Sequence, residues 1–354
     1  IVSVVGNVEI KTVTTPWAID LGSAGDVAAN TLELSDTELA QVTAGGALRI
    51  GDTANTADIT FSAEITAPVG WDLLHLKTGG GIVDAFAGND ISVANLAMEA
   101  VTGIGSADDL NTTVTNIAAT NGPAGSGNVD ITNTGALTIT DVDLGGELVS
   151  GVTSDSTGFI NVTASSPLTV NSPVLETGGG DITLTATNDG LDDDHLTLNA
   201  QVAASGGNGI ITLNAGTDLI INDGGVAADV SVAGLGTITA NTQRETQINA
   251  NTTVQSAGGD ITFNTDDMEI DTVSGAINAN DGAAGPGGGI VTIQQTSAAQ
   301  PIDLGSDNVA TPPTALGLTN AELGQIVASI LRIGDSGNTG SITITAPITQ
   351  GAAS

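Results

Sequence analysis

A stretch of this sequence returns after 283 residues. Residues 19–23 and 302–306 both read IDLGS, and residues 48–52 and 331–335 both read LRIGD. Between them LSDTELAQV (34–42) answers LTNAELGQI (318–326), and Ile59-Thr60 answers Ile342-Thr343. A duplication on this scale constrains the fold strongly, because the same local structure must form twice in one chain. Residues 1–283 are one complete unit and residues 284–354 start the next, with no independent domain boundary between them. The expectation is a slice of a longer array.

Inside the unit a shorter signature recurs: a small residue, then Ile or Val at alternate positions. It reads GNVEI (6–10), GNVDI (127–131), GDITL (180–184), GIITL (209–213), GDITF (259–263) and GIVTI (289–293). Period-two alternation with β-branched residues on one face is a strand pattern. Its key positions are Val129, Ile160, Ile182, Ile211, Ile238, Ile261 and Val291, in steps of 31, 22, 29, 27, 23 and 30 residues. Each step holds further short strands; residues 211–234 give ITLN, DLIIND and DVSVAG between Gly, Asn and Asp turns. One such coil cannot cover its own apolar face, whereas stacked coils bury a continuous column. The pattern predicts an all-β right-handed parallel β-helix (β-solenoid) with irregular coils of 22–31 residues. An aromatic content of 2% suits a narrow aliphatic interior. A β-sandwich also shows short alternating strands, but not this coil-length recurrence.

One element breaks the strand pattern. Ser35-Asp36-Thr37-Glu38 is a capping box, flanked by Leu34 and Leu39 as a hydrophobic staple. Thr319-Asn320-Ala321-Glu322, between Leu318 and Leu323, repeats it. A short helical insertion is therefore expected once per unit, followed by a strand containing LRIGD.

The combination at 318–346, L-T-x-A-E-L-x-Q-I then L-R-I-G-D then G-x-I-T-I-x-A, resembles a module of very large repetitive bacterial exoproteins of the filamentous-haemagglutinin kind. The GDITLTA and GIITLNA coils across 125–295 resemble the same family. The resemblance implies a secreted or cell-surface β-helix that acts as an adhesin or extracellular-matrix fibre. It carries over no binding residue, and the family's secretion domain is not recognisable in this sequence.

Composition narrows the partners. Five basic against 40 acidic residues give a net charge of −35, so nucleic acid is not an expected partner. No apolar run approaches the ~18 residues of a membrane span, and without Cys there is no disulfide scaffold or thiolate metal site. Of the acids, 30 are Asp and 10 Glu, a bias toward turns. Both terminal stretches copy interior coil positions and neither carries a polar cap. The expected partner is the protein itself, through a covalently continued or end-to-end stacked solenoid that makes a filament.

Catalysis finds little support. His75 and His195 are the only histidines, without an HExxH, nucleophile-elbow or Walker pattern beside them. Lys11, Lys77 and Arg244 form no local cluster in the sequence, and Arg49 is expected to pair with an Asp such as Asp52. The glycine runs 178–180 and 287–289 precede strands and lack the Lys of a phosphate loop, so they read as turns. The expectation is a non-enzymatic fibre segment. The reading from another class is a carbohydrate-active, lyase-like or glycan-binding β-helix, with cell-surface or matrix glycans as partners. Only Trp17, Trp71 and four Phe are available to stack on sugars.

The best chemical candidate is an acidic turn. NDGLDDDH (188–195) carries Asp189, Asp192, Asp193 and Asp194, and corresponding turns in later coils carry Asp218, Arg244-Glu245, and Asp266 with Asp267. Stacked corners rich in carboxylates suit calcium, which takes six to eight oxygen ligands. The plain alternative is a solvated acidic corner.

Overall fold

A computed structural model describes residues 1–23, 25–67, 69–123, 127–280, 288–308 and 310–349. The repeat boundary at 283/284 and Gly287 of the second glycine run lie outside the described residues. The chain is a parallel β-helix, most of whose strands pair in parallel with strands of the adjoining coils. It forms two compact units, residues 1–165 with 170–180 and residues 166–169 with 181–354.

In the second unit each coil carries three strands. Ile211–Ala215, Leu219–Ile221 and Val230–Val232 lie beside Ile238–Thr242, Glu245–Ile248 and Thr253–Ser256 of the next coil. Those lie in turn beside Ile261–Asn264, Asp267–Ile270 and Ala276–Asn278. The register places Ile182, Ile211, Ile238, Ile261 and Val291 in one column, each at most 1% exposed. These partners reproduce the expected steps of 29, 27, 23 and 30 residues, because strand register is fixed by the buried face while turns absorb the differing lengths. The Val129↔Ile160 pair gives the step of 31 in the first unit.

On the outer face of the same strands runs a ladder of side-chain amides. Asn241 Nδ2 donates to Asn214 Oδ1 (2.8 Å), Asn264 Nδ2 to Asn241 Oδ1 (2.6 Å) and Gln294 Nε2 to Asn264 Oδ1 (2.7 Å). An amide has both a donor and an acceptor, so identical side chains one strand apart satisfy one another indefinitely.

In the first unit Leu48, Leu74, Leu96 and Ile117 form the equivalent buried column. Outside it, Arg49, His75, Ala97 and Ala118 stand in register on the outer face. An antiparallel hairpin, Asp141–Asp143 with Leu148–Ser150, lies on that face. Its Val142, Leu144 and Val149 pack on Ala47, Ala97 and Ala118, whose small side chains let it approach.

Both copies of the repeat build the same parts. Helices Asp36–Leu39 and Asn320–Leu323 each start from a complete capping box, on Ser35 with Glu38 and on Thr319 with Glu322. The strands that follow are Leu48–Asp52 and Ile330–Ile333; the second stops before the Gly and Asp of its LRIGD. Val8↔Leu48 and Ile19↔Ile59 recur as Val291↔Leu331 and Ile302↔Ile342. The glycine of LRIGD has a left-handed backbone both times, with φ +91° at Gly51 and +89° at Gly334, a conformation costly for other residues. Among the described residues no helix is long and apolar enough to cross a membrane.

Candidate functional site

The acidic turn is a local expansion of one coil. Between strands Ile182–Ala186 and Leu196–Leu198 the chain spends nine residues (187–195), where the next coil spends three (216–218) between Ala215 and Leu219. The surplus folds back on itself. Asp194 Oδ2 accepts from the Asp189 N–H (3.2 Å), Asp189 Oδ1 from Leu191 N–H (3.0 Å) and Asn188 Oδ1 from Gly190 N–H (2.7 Å). Gly216 sits directly against Asn188 and Asp194; a Cβ there would come within 2.8 Å of both.

Of the six candidate calcium ligands, Asp189, Asp192, Asp193, Asp194, Asp266 and Asp267, this folding brings three together. Asp189, Asp193 and Asp194 each place a carboxylate oxygen within 4.8 Å of the others'. Asp189 and Asp193 are exposed, whereas Asp194 is fully buried and its Oδ1 has no hydrogen-bond partner. Burial opposes charge on Asp194, but the Ser166 hydroxyl, the N–H and side chain of Asp189 and the N–H of Gly190 outweigh it and hold the carboxyl below its ordinary range. The Ser166 hydroxyl also donates to the Asp193 carbonyl (3.3 Å).

The other three lie apart. Asp192 points fully into solvent, 4.0 Å from Arg244. Asp266 and Asp267 occupy the same corner three coils on, through Thr217-Asp218 and Arg244-Glu245, which at ~4.8 Å per coil is about 14 Å away. No single ion spans that separation. The intervening corner already holds a cation, since Arg244 grips Asp218 through Nε–Oδ1 (2.7 Å) and a second, NH2–Oδ2 contact. Asp266 accepts from the Ser297 N–H (2.7 Å), and Asp267 Oδ1 accepts from Met268 (3.0 Å) and Gly317 (3.1 Å). Burial pushes the Asp267 carboxyl up to about 7, against those two N–H groups.

Two clusters in the first unit escape sequence reasoning. Under the hairpin, Glu147 bridges Arg49 (3.4 Å) and Lys77 (2.5 Å), while Glu99 takes Lys77 (3.0 Å) and His75 Nε2 (2.9 Å). Strand register thus brings Arg49 together with His75 and Lys77 of another strand, while Lys11 and Arg244 pair elsewhere, with Asp52 and Asp218. Arg49 pairs with Glu147 rather than Asp52, which binds Lys11 (3.3 Å); positions an odd number apart on a strand face opposite ways. Burial works against charge on both Glu99 and Lys77, yet their mutual bonds, with His75 and Glu147, leave Glu99 lowered and Lys77 raised. The second cluster is a buried carboxyl pair. Asp90 is wholly inaccessible, its Oδ2 accepting from Asn111 N–H (2.8 Å) and its Oδ1 facing no donor. Desolvation pushes Asp90 up to about 8, with Asn111 opposing and the charge of Asp84 adding to the rise.

A groove of about 270 Å³ runs beside the acidic turn, lined by Thr185, Asn188, Asn214, Asn241 and Gln243 among others. Its amides are already bonded within the ladder or the turn, since Asn188 Nδ2 donates to Gln243 (2.9 Å), and no aromatic ring lines it among the described residues. No protein-family model, curated protein or solved structure matches the chain.

Proposed function

We propose that this chain is a segment of an exported bacterial fibre, in which further copies of the 283-residue unit extend the β-helix and no catalysis takes place. One observation carries the reading: both copies of the repeat build the same parts in the same register, a capping-box helix, an LRIGD strand, and the pairs Val8↔Leu48 and Ile19↔Ile59 that recur as Val291↔Leu331 and Ile302↔Ile342. A unit that adjoins a second copy of itself without a change of register can adjoin further ones, because each coil contacts only its neighbours. The resemblance of the 318–346 motif to repetitive bacterial exoproteins supports a place outside the cell.

Light scattering over a concentration series, combined with amide hydrogen exchange, tests this. The expected result is concentration-dependent end-to-end association that protects residues 330–333 and 342–344 and is abolished by Ile342→Asp. A monodisperse monomer at every concentration, with those amides already protected, refutes it.

A further inference from the structure

We propose that Asp189, Asp193 and Asp194 form a calcium-binding site, built by the surplus residues of the acidic turn. The carboxylates converge within 4.8 Å of one another. Like charges at that distance repel strongly unless a cation lies among them. Elsewhere in this unit the protein answers that need with its own side chains, as Arg244 does for Asp218. Among the described residues no Lys, Arg or His comes within ion-pair distance of Asp189, Asp193 or Asp194, although Arg244 reaches Asp192 nearby.

The buried member of the set points independently to a ligand. Asp194 is completely inaccessible, and its Oδ1 has no donor. Buried carboxylate oxygens are ordinarily hydrogen-bonded or bound to a metal. Of the three carboxylates, Asp194 Oδ2 accepts from the Asp189 N–H and Asp189 Oδ1 from the Leu191 N–H, and these bonds, with that of Asn188 to the Gly190 N–H, fix the turn's shape. Asp193 takes no part in them, so its exposed carboxylate closes over the site. Gly216 underneath admits no side chain and seats the turn on the neighbouring coil.

The donor set selects the ion. All three side chains offer hard oxygens, with no imidazole or thiolate to favour zinc. Calcium accepts irregular shells of six to eight oxygens, whereas magnesium demands a near-ideal octahedron and keeps most of its water. Three clustered carboxylates in an exposed turn, with water completing the shell, match the ~10⁻⁴–10⁻³ M affinities of extracellular calcium modules. The site is contained in one turn and does not depend on whether copies stack.

Isothermal titration of the whole chain with calcium chloride, at ionic strength held constant with sodium chloride, tests the proposal. One saturable calcium per chain is expected, with magnesium binding more weakly. Asp193→Asn removes a ligand that supports no hydrogen bond. It should weaken calcium about tenfold or more while leaving the melting temperature in chelator unchanged. Asp192→Asn removes the same charge outside the cluster and should leave the affinity unchanged. Absence of saturable binding up to about 10 mM calcium overturns the site. So does equal weakening by Asp192→Asn and Asp193→Asn, which is the mark of a diffuse ion atmosphere around an acidic surface.

Discussion

Replacing Asp90 by Asn is expected to stabilise the protein, by an amount that grows with pH. In the folded chain Asp90 is buried and keeps its proton until about pH 8, while in the unfolded chain it ionises near 3.8. A raised folded pKa contributes stability that is complete below the unfolded value and is lost as pH rises through the folded value. The slope in between is about 1.4 kcal/mol per pH unit, so the wild type forfeits about 4 kcal/mol through this group between pH 4 and pH 7. Asn imitates the protonated acid: a side-chain oxygen can still accept from Asn111, and the NH₂ can donate to Asp84 Oδ2, which is buried without a donor. Urea unfolding of both proteins at pH 4, 5.5, 7 and 8.5 measures the difference directly. It should be near zero at pH 4, reach about 4 kcal/mol in favour of Asp90→Asn at pH 7, and level off above pH 8. Titrating groups that do not interact with Asp90 cancel in the difference. A constant difference across that range, or a variant weaker than wild type at pH 8.5, refutes the reasoning.

Asn241→Ala removes two rungs of the amide ladder and should cost about 1–2 kcal/mol in urea unfolding while the far-ultraviolet spectrum stays that of strands. Gly51→Ala meets both a left-handed backbone and the Lys77 carbonyl, 2.2 Å from the new Cβ, so it should lose more than about 2 kcal/mol. Gly225→Ala, at φ +73° with open space around it, should lose only the backbone part, about 1 kcal/mol. Equal losses at the two glycines would show that the close approach at Gly51 is unimportant.

The coil architecture is legible because it is periodic. Ile211, Ile238 and Ile261 announce a strand phase in the sequence and share one buried column in the structure. The capping boxes at Ser35 and Thr319 are legible for a different reason, since every contact they need lies within four residues. The hairpin at 141–150 alternates just as the coil strands do, so its pattern does not reveal that it leaves the stack and pairs antiparallel. The Glu147 bridge to Arg49 and Lys77 follows from that departure and is invisible without it. The acidic turn divides the same way. Its density of Asp marks it in the sequence, but only the turn's geometry admits Asp189, Asp193 and Asp194 and leaves out Asp192. Coil length then puts Asp266 and Asp267 out of reach.

In a stack where each coil touches only its neighbours, a pull on the chain peels coils away one at a time. The hairpin changes that for the first unit. Its apolar side rests on Ala47, Ala97 and Ala118 from three different coils, Leu73 of a fourth packs against it, and Glu147 reaches Arg49 and Lys77 on two of them. None of these coils can leave while the hairpin stays in place, and the hairpin is itself anchored by Asn7, whose Nδ2 donates to the Leu144 carbonyl (2.7 Å). Under tension such a region holds until the clasp slips and then releases several coils in one long step. A fibre assembled from these units would yield by discrete sacrificial extensions, lengthening under load before it breaks.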